Sequence, residues 1–100
     1  GFTPLLHASL NGQPEAIRLL LGDPRVDPNQ SAIVFTSSLA MACHLGHVDA
    51  TRVLLQDPRV HANTRDRFGA TPLIHACQES HLPIAELLFA SGKELGAIDS

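Results

Sequence analysis

Six histidines and two cysteines are the residues of this 100-residue chain with the most chemistry to offer. His44 and His47 lie three apart, and His75, Cys77 and His81 follow one another closely further on. Imidazole and thiolate are the usual protein ligands of zinc, imidazole is the commonest general base, and a thiolate is a nucleophile. Each role needs company that the spacing does not supply. A zinc site takes three or four converging ligands, each oriented by a further partner. Gly46 breaks the helix between His44 and His47, so their rings need not share a face. A reactive thiolate wants a neighbouring cation, and neither Cys43 nor Cys77 has a Lys or Arg within four residues. No G-x-S-x-G, H-E-x-x-H or Gly-rich phosphate loop occurs. Glu79 and Glu86 have no acidic partner for paired acid–base work. The expectation is of no catalytic residue, no metal and no cofactor, and of a protein that is not an enzyme.

The same residues are ordered by a period. Cys43 and Cys77 are 34 residues apart, as are His47 and His81, while His7 and His75 are separated by twice that. The period governs the rest of the chain. Gly69-Ala70-Thr71-Pro72-Leu73-Ile74-His75-Ala76 is a near copy of Gly1-Phe2-Thr3-Pro4-Leu5-Leu6-His7-Ala8, and a degraded copy, Ser37-Ser38-Leu39-Ala40-Met41-Ala42, lies halfway between. Asp23-Pro24-Arg25-Val26 recurs unchanged as Asp57-Pro58-Arg59-Val60. Gly12, Gly46 and Ser80 share one slot. Repeats of this length signal units that bury a core only by stacking.

Each unit contains two short helices. Pro4, Pro14 and Pro83 stand where a helix begins, the one place proline suits. Ile17, Leu20 and Leu21 fall at i, i+3 and i+4, the spacing of one buried stripe. Helices this short are unstable alone. The Pro-rich loops after the second helices put Val26 and Val60 beneath the stack and leave Arg25 and Arg59 as solvated charges. The alternative for these arginines is a positive ladder facing an acidic partner. Stacked helices sit about 8–10 Å apart, and a disulfide needs Cα atoms within about 7 Å. Cys43 and Cys77 are therefore expected as unpaired thiols, each packed as a small apolar residue where the first repeat has Ser9. Unpaired thiols fit a reducing, intracellular setting.

At Thr71-Pro72-Leu73, Ala76, Ser80-His81 and Leu87-Leu88 the chain resembles the ankyrin repeat family, with Ser80 in place of the usual Gly. Thr3-Pro4-Leu5, Ala8, Gly12 and Leu19-Leu20 fit the same frame, with Gln13 in place of the His. The second repeat keeps Leu39, Ala42, Gly46-His47 and Leu54-Leu55 but opens on Ser37-Ser38. The resemblance spans the whole chain. It implies an all-α solenoid of three stacked helix-turn-helix repeats with β-turn fingers. These form one domain over 1–100, with repeats at 1–29, 30–63 and 64–97. The Asp23 and Asp57 loops lengthen the period to 34, and the third ending, at Ser91-Gly92-Lys93, is expected to revert to the shorter family length. Both ends lack a polar outer face, so the chain is expected to be a segment of a longer array.

The resemblance also implies a protein–protein interaction module that grips its partner with the concave face and the finger tips. On this sequence the face is Leu10, Asn11, His44, Leu45, Gln78 and Glu79. The fingers add Ile33, Val34 and Phe35 in the second repeat and Arg67, Phe68 and Ala70 in the third. Ile33, Val34 and Phe35 stand in a finger that is usually polar, and either fold back over the loops beneath or present an apolar tip. Two other functions remain open: the substrate-recruiting arm of a larger enzyme, and a structural spacer. Asn29, two residues after Asp27, is similar to the ankyrin asparagines that an oxygen-sensing hydroxylase accepts, although Pro28 departs from that pattern.

Composition narrows the partner. The hydrophobic share of 44% is that of a folded domain. The net charge is −3, and no two of the seven Lys and Arg residues are adjacent. A nucleic-acid surface would need a basic patch. No apolar run approaches the roughly 18 residues of a membrane span. The expected partner is another protein, with no nucleic acid, membrane or small-molecule substrate.

Overall fold

The computed structural model describes residues 3–30 and 37–96. Among the described residues six helices make up the fold: α1 (Pro4–Leu10), α2 (Pro14–Leu21), α3 (Ser38–Leu45), α4 (Val48–Gln56), α5 (Pro72–Gln78) and α6 (Leu82–Ala90). No strand occurs among the described residues. The first helix of each repeat opens in the same way. Thr3, Ser37 and Thr71 sit in extended backbone, and their hydroxyls accept from the amides of Leu6, Ala40 and Ile74 at 3.1, 3.2 and 3.3 Å. Each cap satisfies one of the amides that a helix start leaves open. Pro4 and Pro72 follow at the first helical position, where the missing N–H costs nothing. In α3 that place belongs to Ser38, which is fully buried and whose hydroxyl has no hydrogen-bond partner among the described residues.

Within each repeat the chain turns through a left-handed residue. These are Gly12, Gly46 and Ser80, at φ of 63°, 79° and 59°. The two glycines also make room. A Cβ on Gly12 would lie 2.5 Å from His47 Nδ1, and one on Gly46 would lie 2.8 Å from His81 Cε1. Each ring uses that room to bond the preceding repeat. His47 Nε2 meets the Leu10 carbonyl at 2.9 Å, and His81 Nε2 meets the His44 carbonyl at 3.1 Å. Carbonyls at the end of a helix have no partner within it, so these two histidines serve the turns.

The helices stack in two rows. α1, α3 and α5 form the inner row, α2, α4 and α6 the outer, and each helix packs on its repeat partner. One core fills the space between them. Leu5, Leu39 and Leu73 enter it from the inner row, and Ile17, Leu54, Ile84 and Leu88 from the outer. Ala8, Ala42 and Ala76 share one slot and are all buried, which lets the rows approach closely. Cys43 is buried, but Cys77 is exposed, so the expectation of two packed thiols holds for one only. The reason is position in the stack. α3 has inner helices on both sides, whereas α5 is flanked by α3 alone among the described residues.

The loops beneath the rows form a second ladder. Asp23 and Asp57 accept from the amides of Arg25 and Arg59 at 2.9 and 2.8 Å and pair with their guanidinium groups. Arg25 is the solvated charge its sequence suggests, with a side chain 88% exposed. Arg59 is not. It is 37% exposed and reaches back one repeat, to the Val26 carbonyl at 3.1 Å and the Leu21 carbonyl at 2.7 Å. Stacking in register lays one loop's carbonyls against the next loop's cation. Lys93 does the same, with Nζ 2.8 Å from the Val60 carbonyl and 3.0 Å from that of Asp57. Its own amide donates to Ser91 Oγ at 3.2 Å, as that of Arg59 does to Asp57. The 34-residue register therefore continues through Lys93, and the expected shortening of the third ending does not occur there. Val60 is buried and Val26 partly so, both beneath the stack. Asn29 joins neighbouring loops from both ends of its amide. Nδ2 donates to the Arg59 carbonyl, and Oδ1 accepts from the His61 amide, both at 2.8 Å.

Candidate functional site

The finger of the third repeat is built around Asp66. Its amide donates to the Ala70 carbonyl at 3.0 Å, and its own carbonyl accepts from Gly69 at 2.9 Å. Gly69 takes the left-handed conformation at φ 79° that this tight turn requires. The Asp66 carboxylate closes the turn from inside, with Oδ1 accepting from the amides of Phe68 and Ala70, each at 2.9 Å. Its side chain is only 8% exposed. Burial alone would push the carboxyl pKa up. The amides of Ala70 and Phe68 and the His75 ring outweigh that burial, and hold it below the usual carboxylate value.

The turn drives one large side chain outward. Phe68 is 83% exposed, and the Arg67 guanidinium lies 5.1 Å from its ring centroid. Between this finger and α5 lies a shallow hollow lined by Asp66, Phe68, Gly69, Ala70, Ile74, His75 and Gln78. His75 joins finger to helix, with Nε2 2.9 Å from Asp66 Oδ2. It also joins α5 to α3. Its Nδ1 stands 3.3 Å from His44 Nδ1, with the ring centroids 5.2 Å apart and the planes at 88°.

The structure places the expected face as follows. Leu10 and Leu45 are exposed at the ends of α1 and α3, and His44 is exposed beside Leu45. Asn11 is exposed and donates to the His7 carbonyl at 2.9 Å. Gln78 and Glu79 are exposed at the end of α5, and Arg67 and Phe68 at the finger tip. Ala70 departs from the expectation of a surface contact. It is buried, because its amide and carbonyl both close the turn onto Asp66. Ile33, Val34 and Phe35 lie outside the described residues. Sequence reasoning left Asp66 and His75 off the face. Nothing in the spacing marks either, since they are nine apart and His44 sits 31 residues from His75, off the repeat register.

Paired helices stacked in two rows, tied by ring-to-carbonyl bonds and edged by a turn finger, define a helical repeat solenoid. The profile of three ankyrin repeat copies matches residues 5–99, and the chain belongs to the ankyrin repeat family. The ankyrin repeat domain of human ASB11, a crystal structure, is similar to it at a TM-score of 0.81 and 32% identity. That likeness covers 93% of this chain and 41% of the ASB11 chain. No curated protein sequence matches. Ankyrin repeats are generally protein–protein interaction modules, and domains of this kind are typically non-catalytic. No helix is long and apolar enough to cross a membrane among the described residues.

Proposed function

We propose that the chain binds a protein partner through its concave face, formed by the inner helices and the finger tips. Phe68 carries this reading. An aromatic ring held almost fully in solvent by a rigid turn has no role in the fold. Beside a hollow shared with the inner helix it has the placement of an interface anchor. Interface cores favour aromatic residues and arginine within a polar surround. Arg67, Gln78 and Glu79 supply the polar groups, and Leu45 and Leu10 extend the apolar surface across the row. The unpaired Cys43 and Cys77 support an intracellular setting for this binding.

A pull-down comparing wild type with a Phe35→Ser, Phe68→Ser, Leu45→Glu triple variant tests the reading, once circular dichroism shows equal helicity. A protein retained by wild type and lost with the variant is the expected result. Equal recovery by both would move binding off the concave face, and recovery by neither would favour the spacer or the arm of a larger enzyme.

A further inference from the structure

We propose that His44 and His75 form a two-imidazole site for a divalent metal ion of the zinc type, bridging the second and third repeats. Their Nδ1 atoms are 3.3 Å apart. With zinc–nitrogen bonds of about 2.0–2.1 Å, two ligands at a tetrahedral angle stand about 3.3 Å from each other. A hydrogen bond from His44 Nδ1–H would have a similar length and use the same His75 tautomer, so metal uptake is what tells the two apart. The environment of His75 shows only that its Nδ1 is ready to serve as a ligand. Asp66 Oδ2 lies 2.9 Å from His75 Nε2, and because a carboxylate oxygen accepts, it favours the tautomer with the ring proton on Nε2. The Nδ1 lone pair is then left toward His44. Carboxylates that hold the far nitrogen in this way accompany metal-bound histidines, orienting the ring and raising its basicity. This carboxylate is itself fixed, because the amides of Phe68 and Ala70 hold its other oxygen. His44 is exposed, so its ring can carry its proton on Nε2 and present Nδ1 to the ion.

No group of three or more His, Cys, Asp and Glu side chains converges among the described residues. Two protein ligands fall short of the three or four that complete a zinc site, so the remaining positions go to water or to a donor from a bound partner. Imidazole suits zinc, copper(II) and nickel(II), whereas calcium and magnesium take oxygen ligands. Repeat spacing could not reveal this pair, because it runs diagonally across the stack. The ion binds the chain alone, so the site does not depend on the partner reading.

Calorimetric titration with Zn²⁺ tests the site, using the full chain and a Cys77→Ser form that removes the exposed competing thiol. Both should take up one Zn²⁺ with equal affinity. His44→Ala and His75→Ala should each weaken binding at least about tenfold, and Asp66→Asn by about 10–100-fold. Asp66→Asn keeps a carbonyl oxygen for the finger amides, so loss of the turn is not what it reads. In NMR spectra of the Cys77→Ser protein, Zn²⁺ should shift the His44 and His75 ring signals before those of His7 and His61. That measurement holds whether or not the alanine variants fold. No Zn²⁺ uptake, uptake indifferent to both histidine substitutions, uptake lost with Cys77→Ser, or equal shifts at all exposed histidines would overturn the proposal.

Discussion

At the scale of single residues, the same repeat slot produces different chemistry according to what lies beside it. Cys43 is sealed in the core, where burial pushes its thiol up to about 12, although Thr51 partly offsets this through a hydrogen bond. Cys77, one repeat later, is exposed. In native protein a thiol reagent should label one cysteine per chain, identified as Cys77 by peptide mapping, and Cys43 only after unfolding. Rapid labelling of both would show the core to be open. Gly46 is constrained twice, by its left-handed backbone and by the His81 ring 2.8 Å from its missing Cβ. Gly46→Ala should cost about 2 kcal/mol or more in urea unfolding, since the backbone conformation alone costs about 1–2 kcal/mol and the ring must also leave the His44 carbonyl. Gly46 was legible in sequence as a helix break. The His44–His75–Asp66 chain was not, because a contact diagonal to the repeat leaves no periodic trace.

At the scale of elements, α3 opens on serines where α1 and α5 open on Thr-Pro. The cap survives, because Ser37 supplies the hydroxyl, but Ser38 buries an oxygen that no described residue satisfies. Ser37 is extended, at φ −90° and ψ 166°, which suits a residue before proline. Ser38→Pro should therefore stabilise the protein by about 1 kcal/mol, through a stiffer unfolded chain and the loss of an orphaned hydroxyl. A lower urea midpoint would contradict it. The loop elements hold the stack by charge. The Arg59 guanidinium holds the Asp57 carboxyl below its usual value of 3.8, against the opposing effect of burial. A depressed carboxyl contributes stability that is present above the unfolded value and is lost as pH falls through the folded one. Asp57→Asn should thus be less stable than wild type near neutrality, and the difference should shrink as pH falls below 3.8. A difference constant across that range would remove the ion pair from the account. Sequence showed these loops as repeated text but not their role, since Arg59 finds its carbonyl partners only once the repeats are stacked.

At the scale of the whole molecule, the 34-residue period marked paired short helices that must stack, and the ankyrin resemblance supplied the solenoid order; the structure then buries Leu5, Leu39, Leu73, Leu54 and Leu88 in one core. The period says much less about the face. Leu10, Asn11, His44, Leu45, Gln78 and Glu79 were placed on it by the ankyrin resemblance, and their exposure follows from the turn at the end of each inner helix. Ala70 was misplaced because a finger's shape depends on hydrogen bonds to one aspartate, not on its position in the repeat. The most direct test of concave-face binding is hydrogen exchange on the chain with and without the captured protein. The expected result is slowed exchange in the 65–70 finger and at the ends of α3 and α5, with α2, α4 and α6 unchanged. Protection confined to α2, α4 and α6 would contradict it and place the binding surface on the outer row.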